Sequence, residues 1–145
     1  MGDERFEYRT AVEWAHDREG ALTADGRPNI PVGAGSEFGG RDDVWSPEHL
    51  SVAAVNACVM LTFLTIAQNS KLPILGYRAS ATGTLEKVAD RGLVITRISV
   101  KPRITIGPDV DRGRVERVVK MAEKRCYISN SMNTDVSLEP EIVVA

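Results

Sequence analysis

Between His49 and Lys71 the chain carries no charged side chain, although 26% of its residues are charged. That run restricts the fold more than any other feature. Ser46-Pro47 begins it as a helix start: the serine caps free amides, proline suits the first helical position, and Glu48 faces the positive end of the dipole. The helix is expected to run to about Asn69. Leu50, Ala54, Ala57, Leu61 and Leu64 recur at intervals of four and three as one apolar seam, and Val55, Val59, Phe63 and Ile66 populate other faces. A helix apolar nearly all round is either a membrane span or covered by protein. Asn56, Thr62, Thr65 and Gln68 along its length, many alanines and no second hydrophobic segment argue against the span. A domain of 145 residues is too small to cover such a helix unaided, so a second chain beside it, a homodimer, is the economical expectation.

Charge narrows the partners. Eighteen basic against twenty acidic residues give a net charge of −2, which offers no broad cationic surface to nucleic acid or anionic lipid. The opening MGDERFEYRT has neither an apolar h-region nor Arg-rich, acid-poor character, so a cytoplasmic location is expected. In a reducing compartment two cysteines seldom act as a staple; if Cys58 and Cys126 matter, they matter as chemistry. His16 and His49 stand at no ligand spacing from them, so no metal and no cofactor are expected.

The remaining chain reads as one α+β domain with mainly antiparallel sheet. EYRTAVEWA (7–15) alternates as a strand, with Tyr8, Thr10, Val12 and Trp14 on one side; EGALTA is a second strand. The Asp-Gly, Gly-Arg-Pro and Gly-Gly punctuation that follows reads as turns and a long surface loop, which either shapes access to a site or covers a sheet edge. Segments 77–88 and 92–106 form a hairpin around Ala-Asp-Arg-Gly. VDRGRVERVVKMAEKRC is an amphipathic helix with Val115, Val118, Val119 and Ala122 on one face, ending near Cys126; SNSMNTD adds a turn of helix and DVSLEPEIVVA one closing strand.

A cysteine on an apolar helix is most often a small hydrophobe, and that reading of Cys58 stands beside the chemical one. For Cys126 the neighbouring Lys124 and Arg125 lower a thiol's pKa and the negative end of its own helix raises it, which leaves the direction open. Taken together, HDREG after the first strand, the Pro-Glu-x-Leu opening of SPEHLSVAAVNACVML with Cys ten residues after the Glu, and a later helix ending RCYISNS resemble the OsmC/Ohr family of thiol peroxidases. The resemblance spans essentially the whole chain, with Tyr127 standing where many relatives carry a proline.

That resemblance implies an intertwined homodimer, a long central helix containing Cys58, and reduction of organic hydroperoxides to alcohols. By position it makes Cys58 the peroxidatic cysteine, Cys126 the resolving one, Glu48 the motif glutamate and Arg18 the thiolate-stabilising arginine. The implied cycle runs through a Cys58 sulfenic acid and a Cys58–Cys126 disulfide, reopened by a dithiol such as a lipoyl protein or a small thiol. The residue types suit the task. The attacking species is a thiolate, burial opposes its formation, and arginine supplies a permanent charge with several donors. Arg27 rivals Arg18 for that role, Glu48 is equally a helix-dipole partner, and His49 reads as a solvated first-turn residue rather than a base. Along one straight helix Glu48 and Cys58 lie about 15 Å apart with an angular offset of roughly 80°, so they do not touch directly. The competing expectation is a non-enzymatic protein of the same fold holding an apolar small molecule at the dimer interface.

Overall fold

The computed structural model describes residues 4–145, which divide into two compact units, the first ending at Leu50 and the second running Ser51–Ala145. In the first unit β1 (Ala11–His16), β2 (Glu19–Thr23) and β3 (Ile30–Gly33) form an antiparallel sheet in the order β1-β2-β3. The β1–β2 turn is tight, with Asp17 in the left-handed region at φ 47°. Gly20 sits opposite Trp14, where an added Cβ would lie 2.4 Å from the Glu13 carbonyl oxygen, so the pairing itself demands glycine. Every residue of β1 is exposed, including Val12 and Trp14.

The third strand corrects the expectation of a structureless loop. Ile30 and Val32 supply the alternation, and Pro31 is tolerated because β3 is an edge, where a missing N–H breaks no inner ladder. A 3₁₀ turn, Ser36–Phe38, then closes on Gly39 at φ 81°.

The long helix α1 (Pro47–Asn69) starts as expected: Ser46 is buried, its Oγ accepts from the His49 amide at 3.1 Å, and the Leu50 amide donates to the Ser46 carbonyl at 2.9 Å. Within the second unit the two rows of α1 separate: the second row enters the core, with Leu64 of the seam packed against it. Val55, Val59, Phe63 and Ile66 are buried, whereas Ala54 and Ala57 are exposed and Leu61 is 57% exposed. Spacing does not separate the two rows because both are apolar. By length and composition α1 qualifies as a membrane span, but its larger row is committed to the protein core.

Strands β4 (Gly76–Val88) and β5 (Gly92–Ile106) make the expected hairpin, turning through Asp90 and Gly92 at φ 68° and 77°. β5 is central: Ile98, Val100, Ile104 and Ile106 on its inner face are wholly buried, while Lys101 and Arg103 face outward. Helix α2 (Arg112–Arg125), capped by Asp111 Oδ1 accepting from the Gly113 amide at 3.1 Å, lays Val115, Val118, Val119 and Ala122 into that core. The short helix α3 (Tyr127–Asn130) begins a few residues before the expected turn. The single closing strand is two, β6 (Asp135–Leu138) and β7 (Glu141–Val144), both parallel to β5 and interrupted at Glu139-Pro140, since proline brings no N–H to the ladder. The α+β class with mainly antiparallel sheet holds.

Candidate functional site

Cys58 and Cys126 are brought together. Cys126 is fully buried in a cluster with Val55, Val59, Ile98 and Val100, and half-buried Cys58 packs against the same cluster. Both are free thiols. Cys126 owes its position to a break between two helices: at φ −67°, ψ 114° it ends α2 and caps the start of α3. The first α3 hydrogen bond runs from the Asn130 amide to the Cys126 carbonyl at 3.0 Å, which leaves the amides of Tyr127 and Ile128 without helical acceptors.

Those amides turn toward Cys58. Burial pushes the Cys58 thiol up, but the Ile128 amide, the Cys126 side chain, the Thr62 hydroxyl at 3.9 Å from Sγ and the Tyr127 amide together pull it below the ordinary thiol range. Cys126 moves the other way. Burial raises it, Ser129 pulls it down through hydroxyl and amide, and the neighbouring Cys58 pushes it up again, so that it finishes above the ordinary value. The Ser129 hydroxyl is itself buried without a hydrogen-bond partner of normal length, and the Cys126 sulfur is the polar group it faces. Of the two thiols, Cys58 is the one whose anion its surroundings favour and Cys126 the one whose anion they oppose. The direction for Cys126, open from sequence, is settled by burial rather than by Lys124 and Arg125.

Cys58 opens on a cavity of about 600 Å³ between α1 and the α2–α3 junction. Ala54, Ala57, Leu61, Ile66 and Ile128 make most of its wall, Thr62, Thr65 and Asn69 add polar groups, and Arg125 is its single charged lining residue. Thr62 and the α3 amides escaped the sequence reading. Thr62 had a signal, being four residues after Cys58 and therefore on its face; the amides had none beyond the small polar run that follows Cys126.

In the first unit Arg18 and Glu48 line one cavity of about 570 Å³ together with Val12, Trp14, Phe38 and Pro47. Arg18 follows the Asp17 turn, and its Nη2 donates to the Gly39 carbonyl at 3.1 Å. Gly39 leaves the guanidinium its room, since a Cβ there would lie 2.7 Å from Nη2. Among the described residues Arg18 and Glu48 form no salt bridge, so the Gly39 carbonyl is what orients the guanidinium within this unit. Arg27 lies in the turn after β2, donates to the Asp25 carbonyl at 3.0 Å and does not line this cavity. His49 is exposed, as expected of a first-turn residue, with Nδ1 2.7 Å from Ser46 Oγ and its ring edge-on to Trp45.

Solved structures share this architecture. An OsmC-like protein of unknown function from Vibrio cholerae superposes with a TM-score of 0.86 at 23% identity, covering 94% of this chain and 100% of its own. The organic hydroperoxide resistance protein OhrB of Bacillus subtilis gives 0.71 at 22% identity, covering 94% and 98%. An organic hydroperoxide resistance protein OsmC from Legionella pneumophila gives 0.75 at 19%, covering 96% and 99%. At these identities the likeness speaks for the fold. No curated protein matches the sequence. The family described as OsmC-like protein matches residues 40–141, well over half of the chain, and the protein belongs to that family.

Proposed function

We propose that the protein is a homodimeric, cysteine-based peroxidase that reduces organic hydroperoxides to alcohols. The observation that carries this reading is the opposite displacement of two adjacent thiols, Cys58 toward its anion and Cys126 toward its protonated form, beside an apolar cavity. The Cys58 thiolate attacks the outer oxygen of the hydroperoxide; the O–O bond breaks, Cys58 becomes a sulfenic acid, and the departing alkoxide takes a proton to leave as the alcohol. The Cys126 sulfur then displaces water from that sulfenic acid to form a disulfide. A dithiol, a lipoyl protein or a small thiol of the cytoplasm, reduces it by exchange and is oxidised in turn.

We assign Arg18 as the cation that favours the thiolate and the charge on the leaving oxygen, with Glu48 as its counter-charge. The names of the Legionella and Bacillus relatives support the substrate class. The exposed apolar side chains of the first unit, Phe6, Tyr8, Val12 and Trp14, and the exposed row of α1 support a second copy as their cover. Steady-state turnover of cumene or tert-butyl hydroperoxide with a dithiol tests the reading, and equal rates for the native chain and Cys58→Ser refute it.

The apolar wall of the cavity favours one other reading, a non-enzymatic protein that holds an apolar small molecule. Mass spectrometry after one equivalent of hydroperoxide separates the two: a chain lighter by two hydrogens means the peroxidase, and an unchanged mass means the binder.

A further inference from the structure

On the outer face of the β4–β5 hairpin, away from the thiol pair, two cross-strand rungs concentrate positive charge. Arg78 is the direct partner of Arg103, and on the next rung of the same face Ser80 is the partner of Lys101. Like charges placed directly opposite each other cost a sheet stability. The buried side of β5 does not require them, because Val100, Pro102 and Ile104 do the packing and the outward residues are free to be neutral. Nor does composition, since the chain as a whole is net negative.

The charges are also largely uncompensated. Arg103 has Glu141 as its partner on β7, with Nε to Oε1 at 3.7 Å and both side chains exposed. Among the described residues Arg78 and Lys101 have no carboxylate within salt-bridge distance and no side-chain hydrogen bond. Arg78, Ala79, Ser80, Lys101 and Arg103 together line a cavity of about 520 Å³ with no acidic residue in its wall.

We propose that this cavity binds a phosphate group. Two guanidinium forks from adjacent strands present paired N–H donors to a tetrahedral oxyanion, Lys101 adds a point charge, and Ser80 offers a hydroxyl. Three positive charges against a dianion favour phosphate over a carboxylate, which brings one charge and two oxygens. The source is either free inorganic phosphate or the phosphate ester of a small metabolite, and AMP serves as the probe for the second.

The test is calorimetric titration of the full chain with inorganic phosphate and with AMP at low ionic strength, beside potassium chloride of matched ionic strength. The expected result is saturable binding of one phosphate per chain, weakened about tenfold in Arg78→Gln, which removes charged hydrogen bonds. Glu141→Gln binds more tightly than the native chain, because the competing acid beside Arg103 is gone. Tighter binding of AMP than of phosphate identifies an ester as the ligand, and equal binding identifies the free ion. Circular dichroism and hydroperoxide turnover of Arg78→Gln remain native, which separates this site from the thiol chemistry. Absence of saturation, equal affinity of Arg78→Gln, or the same response to chloride overturns the proposal.

Discussion

The orientation of α1 decides which neighbours Cys58 has, and it can be tested by truncating one residue on each of its faces. Phe63 is 1% exposed and packs among Ile104, Ile106, Val115 and Val119. Phe63→Ala removes a fully covered side chain and leaves an enclosed void, at a cost of about 3–5 kcal/mol. Leu61 lies two positions earlier on the same helix and is 57% exposed, so less than half of its surface is covered. Full burial of a leucine contributes about 1.5–3 kcal/mol, which makes the cost of Leu61→Ala about 1 kcal/mol, with no closed cavity to add to it. The two variants therefore differ by about 2 kcal/mol or more. With a urea slope of about 2 kcal/mol/M for a chain of this size, their midpoints separate by about 1 M. Urea titrations followed by circular dichroism at low protein concentration read this directly. Repeating them at high concentration adds a second result: the cost of Leu61→Ala grows if the exposed row lies against a second copy. A Leu61→Ala midpoint that falls as far as that of Phe63→Ala at low concentration means α1 is turned the other way, and the placement of Cys58 beside Cys126 falls with it.

Two further outcomes follow from the site. Iodoacetamide labelling across a pH series, mapped by mass spectrometry, should modify Cys58 at pH values below those at which an ordinary thiol reacts. Cys126 should react only at higher pH, because the Cys58 anion is favoured in the fold and that of Cys126 opposed; labelling of both at one midpoint refutes the asymmetry. Gly39→Ala puts a side chain in the left-handed region at φ 81°, at a cost of about 1–2 kcal/mol, and sets its Cβ against the flexible end of Arg18, so in a chain that circular dichroism shows to be folded it should displace the guanidinium from the Gly39 carbonyl. If Arg18 has the role proposed for it, hydroperoxide turnover falls at least about tenfold, toward the effect of Arg18→Ala, and native turnover in both variants removes Arg18 from the mechanism.

What could be read from the sequence was local. Ser46 and Pro47 announced the start of α1, the Val115, Val118, Val119 and Ala122 spacing gave the buried stripe of α2, and the Ala-Asp-Arg-Gly turn gave the hairpin, because caps, stripes and tight turns are written within a few residues. What could not be read depended on neighbours far along the chain. β3 exists because β2 offers it an edge, and the closing segment is two strands because both halves find β5 and Pro140 cannot. The amides of Tyr127 and Ile128 belong to the thiol site only because α2 breaks at Cys126 under α1. That the sequence does not show which face of α1 meets the core has a different cause. A helix with water on one side shows a clear polar stripe, and periodicity then identifies the core. α1 shows almost none: its larger side chains fill the interior of its own unit, and Ala54, Ala57 and Leu61 remain apolar where solvent would favour polar residues. That low contrast is the pattern expected of a helix with protein on two sides, small residues on the second side allowing close approach. The absence of charge from Leu50 to Ser70 is thus accounted for by the core of one chain together with the proposed contact to another.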